Sequence, residues 1–211
     1  MSVQFRPVSP ERLVDELAER ISELPQDTWA RIAVDGADTA TDTTALADAL
    51  TGPLRLRGRE VQRVSARDFL RAASLRFERG RYDPDVRYTD WLDTGALRRE
   101  VLDPLAPDGS GTMLPALWDP ERDRAYRLPR TTLPAGAVLL LDGELLLGRG
   151  FAFDLTVHLW LSAAALRRRL PTEQQWALPA YDRYDREVDP AGTADVVVRM
   201  DHPRHPAIRN S

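Results

Sequence analysis

The densest cluster of reactive groups in the chain is Asp35-Gly36-Ala37-Asp38-Thr39-Ala40-Thr41-Asp42-Thr43-Thr44, which sets three carboxylates and four hydroxyls around one glycine. Asp42 stands directly before an apolar pattern with helical spacing. A carboxylate there has two uses. It can cap the free amides of a helix N-terminus, worth about 0.3–1 kcal/mol, or it can grip an amine or act as a base. Asp35 and Asp38 lie near enough in sequence to raise its pKa by like-charge repulsion, or to join it around a hard cation.

Other candidates lie farther along. Arg67 follows a short apolar strand and suits a clamp for phosphate, sulfate or carboxylate, or else a surface salt bridge; Asp68 is its neighbour. Asp142 closes the most apolar strand, where a carboxylate either caps a loop or holds water, metal or substrate. Tyr82, Asp83, Tyr88 and Trp91 can stack a flat ring and hydrogen-bond hydroxyls, or simply pin a long loop to the core. Arg167, Arg168 and Arg169 form a run that ordinarily reads as a solvated helical face. His158 sits inside the apolar run Thr156-Val157-His158-Leu159-Trp160 with no second histidine at metal spacing. It reads as a core or edge histidine, and no metal site is expected.

Composition narrows the chemistry further. Every one of the 29 basic residues is an arginine, so any reaction that needs a lysine is excluded. The absence of cysteine removes disulfides, thiolate catalysis and thiolate-bound zinc. A net charge of -4, spread along the chain, argues against a nucleic-acid partner. The longest apolar run, Ala137 to Leu141, is far too short to cross a bilayer, and the first residues lack a secretory pattern. No membrane partner and a cytoplasmic location are therefore expected.

These side chains need elements to hold them. Ser9-Pro10-Glu11 opens an amphipathic helix that Pro25 stops, giving a leading helical segment over residues 1–25. Arg31 to Val34 reads as a strand entering the threonine-rich turn, and Leu46, Ala47 and Leu50 share one face of the helix that follows. Further strands are expected at Val61 to Val64, Ala137 to Leu141, Leu155 to Leu161 and Asp195 to Arg199. Helices are expected at Ala96 to Leu102, around Arg167 to Arg169, and from Tyr181 to Val188. Strands alternating with helices predict a mostly parallel sheet covered on both faces. Residues 1–211 read as one domain, with loops at Arg76 to Asp93 and Pro104 to Arg130 and a frayed tail over 202–211.

The strand-turn-helix at Ile32 to Thr44 resembles the phosphate-binding loop of uridine-kinase-like P-loop proteins. The likeness continues through Val64-Ser65-Ala66-Arg67-Asp68-Phe69, Arg79 to Pro84, Leu97 to Leu105, Leu139-Leu140-Leu141-Asp142-Gly143, the Arg167 to Arg169 run, and Tyr181 through Val198. It implies a P-loop kinase-like three-layer α/β domain with about five mostly parallel strands. Gly36, Thr41, Thr43 and Thr44 become the phosphate-loop residues, and Arg167 and Arg168 fall on the lid over the nucleotide. The stretch around Tyr82 and Asp83 falls where the acceptor substrate is received.

Two family requirements are missing. The lysine that bridges the outer phosphates falls on Asp42, and the loop's later glycines fall on Thr39 and Thr41. At about 4 Å and an effective dielectric near 20, exchanging a cation for an anion reverses a contact of roughly 4 kcal/mol. The carboxylate that takes the acceptor's proton falls on Arg67. ATP and magnesium are therefore not expected in the usual mode. The leading expectation is an ATP-independent enzyme on a small anionic metabolite, with Asp42 and Asp68 as its catalytic groups. Arg67, Tyr82, Asp83, Asp142, Arg167 and Arg168 would hold the substrate. The alternatives are a non-catalytic binding or partner subunit, acting with a partner protein, and an atypical small-molecule kinase.

Overall fold

The computed structural model describes residues 4–209. Its frame is a seven-stranded sheet built from β1 (Phe5–Pro7), β2 (Ala30–Gly36), β3 (Val61–Ser65), β4 (Val138–Gly143), β5 (Leu155–Trp160), β6 (Val196–Arg199) and β7 (Ala207–Arg209), in the order β1-β7-β6-β5-β2-β4-β3. The five strands β6, β5, β2, β4 and β3 run parallel. At one edge β7 adds antiparallel to β6, and β1 adds antiparallel to β7.

The central strands β2 and β4 are buried along their full length, as expected of parallel strands covered on both faces. Alternation sorts their side chains. Ile32, Val34 and Leu140 pack against α1 (Pro10–Ser22) and α2 (Thr43–Leu56), while Leu139 and Leu141 face the opposite layer with Leu97, Val101 and Leu105. Three further helices bear on the site: α3 (Pro84–Asp90), α4 (Ala163–Arg169) and α5 (Leu178–Val188).

Three expectations need correction. The leading segment over 1–25 is not all helix: α1 begins at Pro10 behind its Ser9 cap, and Phe5–Pro7 is a strand. The tail over 202–211 is not frayed through 207–209. There β7 pairs on both sides, Ala207 is buried, and Arg209 anchors to the carbonyls of Ala191 and Ala194. A three-residue strand is too short to show alternation in sequence; Asn210 and Ser211 lie outside the described residues. The stretch from Arg76 to Asp93 is only partly loop, because it holds α3, and two small antiparallel pairs order parts of Pro104 to Arg130 and its flank.

Arginine serves as a structural residue here. Arg59 is buried and donates to the carbonyls of Gly136 (2.6 Å), Leu24 (2.8 Å), Ser22 (3.4 Å) and Pro25 (3.3 Å), tying α1's exit to β4's entry. Its planar fork spreads five donors over three nitrogens in fixed directions, where an ammonium gathers three on one atom.

Candidate functional site

The loop after β2 is compact. A Cβ on Gly36 would lie 2.6 Å from Thr41 Oγ1 and 3.0 Å from Leu159 Cβ, so only glycine fits there. Residues Asp38 to Thr41 then form one helical turn. The amides of Ala40 and Thr41 donate to Ala37 O at 2.7 and 2.8 Å, and that of Asp42 donates to Asp38 O at 2.8 Å. These amides are spent inside the loop. Thr41 Oγ1 donates to Ala37 O, and Thr43 Oγ1 donates to Asp38 Oδ1 at 2.6 Å.

Asp42 is exposed and caps α2, accepting from Ala45 N at 3.0 Å. Its backbone sits in the left-handed region at φ 59°, which aspartate tolerates better than most side chains. Asp35 points away from it into the core. Fully buried, it accepts from Leu146 N (2.9 Å), from Tyr184 Oη (2.9 Å) and from His158 Nδ1 (2.7 Å). His158 is thus a buried, bonded histidine, and Tyr184 is held above its ordinary pKa by burial and by Asp35. The three aspartates of the run do not converge. Among the described residues no group of three or more metal-ligating side chains is placed to hold an ion.

Asp142 is also fully buried and engaged. It accepts from Arg63 Nε at 2.7 Å and Nη2 at 3.3 Å, and from Thr44 Oγ1 at 3.0 Å. Burial works against the charge on Arg63, but Asp142 and then Asp48 outweigh it and hold the guanidinium above its ordinary pKa. Asp68 is half-buried beside Tyr126, whose hydroxyl lies 3.5 Å away, and burial raises its pKa. Asp83 caps α3 through the amides of Asp85 and Val86. Arg167 and Arg168 are exposed in the last turn of α4.

A cleft of about 460 Å³ opens elsewhere, at the C-terminal edge of β2, β3 and β4. Of the candidate substrate residues it takes in only Arg67 and Tyr82; Asp42, Asp68, Asp83, Asp142, Arg167 and Arg168 do not line it. Gly143 lets β4 end against the segment after β3, since a Cβ there would meet Ala66 Cβ at 2.7 Å. The lining carries five arginines, Arg67, Arg76, Arg81, Arg87 and Arg149, against two carboxylates, Asp38 and Glu144. Four rings form a contiguous wall: Phe77 meets Trp91 at 5.7 Å, Trp91 meets Trp176 at 5.7 Å, and Trp176 meets Tyr82 at 5.6 Å between centroids.

Arg87 and Arg76 are the cleft's two buried cations. The guanidinium carbon of Arg87 lies 4.8 Å from the ring centroid of Trp91 and 5.5 Å from that of Trp176, inside the range of cation–π attraction. Nη2 donates to Glu144 Oε1 at 2.6 Å, and Tyr181 Oη donates to Glu144 Oε2 at 2.5 Å. Burial opposes Arg87's charge, but Glu144 and Tyr181 outweigh it and hold its pKa up. Nε is buried and finds no acceptor among the described residues. Leaving such a donor unmet costs about 1–3 kcal/mol.

Arg76 and Arg149 are held differently. Arg76 is buried and donates to the carbonyls of Arg71 (2.7 Å) and Pro120 (3.4 Å); Arg149 donates to the carbonyls of Leu145 and of Tyr88 (2.6 Å). Neither has a carboxylate partner among the described residues. Burial lowers both pKa values, yet an arginine remains charged at any working pH. Their positive charge therefore stays in the cleft wall. Asp38 stands at the rim, half-buried; burial raises its pKa, reinforced by the charges of Glu144, Asp142 and Asp42.

Sequence reading missed Arg76, Arg87, Arg149, Glu144 and Trp176. One signal was present: Arg87 and Trp91 are four residues apart at a helix end, the spacing that brings two side chains together.

No family model matches the chain, and no curated protein matches it. Solved structures do. A "possible uridine kinase" from Bacillus stearothermophilus superposes with a TM-score of 0.71 at 22% identity, over 87% of this chain and 96% of that one. A "putative fructose transport system kinase" from Silicibacter sp. TM1040 superposes with a TM-score of 0.60 at 21% identity, over 87% of this chain and 91% of its own. The chain has a uridine-kinase-like P-loop fold.

Proposed function

We propose that this P-loop protein no longer performs ATP-dependent phosphoryl transfer and instead binds a small anionic molecule in the arginine-lined cleft. The observation that carries the reading is where the cations stand. The loop that would cradle a triphosphate has no basic side chain, and its amides at residues 40 to 42 are bonded internally. The neighbouring cleft gathers five arginines, two of them anchored on carbonyls so that their charge is not neutralised. Both cations and free amides favour an anion, and here the cleft supplies what the loop lacks. Asp42 and Asp142 are occupied as a cap and as an ion-pair partner, which supports a binding role over catalysis by either residue.

The runner-up reading is an ATP-independent enzyme, and one observation favours it. Asp38 lines the cleft with a raised pKa, as a proton-transfer group at a working pH requires. Titration calorimetry with magnesium-ATP and with small carboxylates and phosphates tests the primary reading. The expected result is anion binding that is lost in Arg76→Gln. Micromolar magnesium-ATP binding, or no anion binding at all, would overturn it.

A further inference from the structure

We infer that the anion taken by the cleft is an aromatic carboxylate: a planar conjugated ring against the ring wall, with its carboxylate facing the buried Nε of Arg87. This inference rests on the cleft-binding reading above and names its ligand class. Two independent observations point to it.

The first is the donor. Arg87 is 9% exposed and lines the cleft, and its Nε is the one cleft-lining side-chain atom among the described residues that is buried without a partner. Its Nη2 is already committed to Glu144 and Tyr181, so the orientation of the guanidinium is fixed before any ligand arrives. Arg76 and Arg149 each spend the N–H of Nε and one of Nη2 on carbonyls and keep three of their five N–H groups. The orphaned Nε offers a ligand oxygen one fixed donor, and the uncommitted N–H groups of Arg76 and Arg149 add positive charge around it. A phosphate dianion would face the carboxylates of Asp38 and Glu144 across the same cavity with twice the charge, which favours a monoanion such as a carboxylate.

The second is the wall. Guanidinium planes and rings alternate: Arg81 lies 5.3 Å from the Phe77 centroid, Arg76 lies 4.9 Å from it and 5.3 Å from that of Trp91, and Arg87 bridges Trp91 and Trp176. Tyr82 ends this series at the mouth, 65% exposed although it is one of the chain's large hydrophobic residues. A flat ligand ring entering the cleft continues the stack and covers Tyr82. An aliphatic ring of equal volume buries similar area but cannot present a π-face to arginine or an edge to tryptophan.

The test uses the full chain and follows tryptophan fluorescence, since Trp91 and Trp176 both line the cleft, with calorimetry as a second readout. The probes are benzoate, 2-naphthoate, cyclohexanecarboxylate and phenyl phosphate. The aromatic carboxylates should bind about tenfold more tightly than cyclohexanecarboxylate, the scale expected of stacking beyond area burial. Arg87→Lys keeps a charge but removes Nε and should weaken benzoate and cyclohexanecarboxylate alike, by about tenfold; unchanged binding of both would overturn the Nε contact. Should that variant misfold, Tyr82→Leu at an exposed site serves instead, weakening the aromatic probes about fivefold while sparing cyclohexanecarboxylate. Equal binding of benzoate and cyclohexanecarboxylate would overturn the planar ligand. Phenyl phosphate binding tenfold more tightly than benzoate would overturn the carboxylate. In either case the cleft-binding reading survives; binding by none of the four probes, or micromolar magnesium-ATP binding, overturns that reading and the inference with it.

Discussion

Replacing Arg63 by leucine asks whether Asp142 is a structural brace or an available ligand-binding carboxylate. Asp142 is fully buried, and both of its oxygens are met by Arg63 and Thr44. Removing one partner of a buried ion pair costs about 3–5 kcal/mol because the other charge is stranded. Arg63 keeps 29% of its side chain exposed, so water already screens part of the interaction and the lower end, about 2–3 kcal/mol, is the better figure. At about 2–4 °C per kcal/mol for a chain of this size, Arg63→Leu should lower Tm by about 5–10 °C. Asp142→Asn should cost less, about 1 kcal/mol, since Arg63 retains Asp48 at 3.1 Å and the amide oxygen still accepts from Thr44. The double variant should be less destabilised than the sum of the singles, the signature of a coupled pair. Differential scanning calorimetry on all four proteins measures the cycle. An unchanged Tm in Arg63→Leu, together with lost ligand binding in Asp142→Asn, would refute the brace and return Asp142 to the site.

Other outcomes follow from the same geometry. Calorimetry with magnesium-ATP should find no Kd tighter than about 1 mM, and Asp42→Lys alone should not change this, because the amides of residues 40 to 42 remain spent. Asp42→Ala should cost about 1 kcal/mol or more, from the lost cap and the left-handed backbone, whereas Asp42→Gly should be nearly neutral; chemical denaturation separates the two. Gly36→Ala should destabilise the fold measurably in the same assay, since its methyl would overlap Thr41 Oγ1. Asp38 has a folded-state pKa above its unfolded value, so its ionisation opposes folding as pH rises through and beyond that interval. Asp38→Asn should thus melt higher than the parent at pH 7 and equally at a pH below the unfolded-state value; the opposite ordering would show that the carboxylate is stabilised when charged.

The frame was legible because burial on both faces writes itself as uninterrupted apolar runs: Ile32 to Val34 and Val138 to Leu141 could hardly be anything but central strands. The cap at Asp42 was legible for a local reason, as an acidic residue next to a helix start needs no distant partner. The cleft was not. Arg63 meets Asp142 and Arg87 meets Glu144 across 79 and 57 positions, and periodicity carries no record of such pairings. Arginine compounds the difficulty. In a chain without lysine, Arg59, Arg76 and Arg87 do buried work while Arg167 and Arg168 remain on the surface, and a letter count cannot tell these apart. The three-residue strands Phe5–Pro7 and Ala207–Arg209 escaped for want of length.

The carbonyl anchoring of Arg76 and Arg149 has a kinetic consequence. An ion-paired arginine is nearly silent at a distance, whereas one held by neutral carbonyls projects its full charge into the solvent at the cleft mouth. The cleft lining sets five arginines against two carboxylates in a chain whose net charge is -4. Low-dielectric walls of Phe77, Trp91 and Trp176 concentrate those field lines along the way in. Small anions are then drawn toward this opening. Their arrival rate should fall steeply as salt shortens the Debye length from about 30 Å at 0.01 M to about 8 Å at 0.15 M. Departure, governed by short-range contacts with the guanidinium groups and the rings, should respond far less.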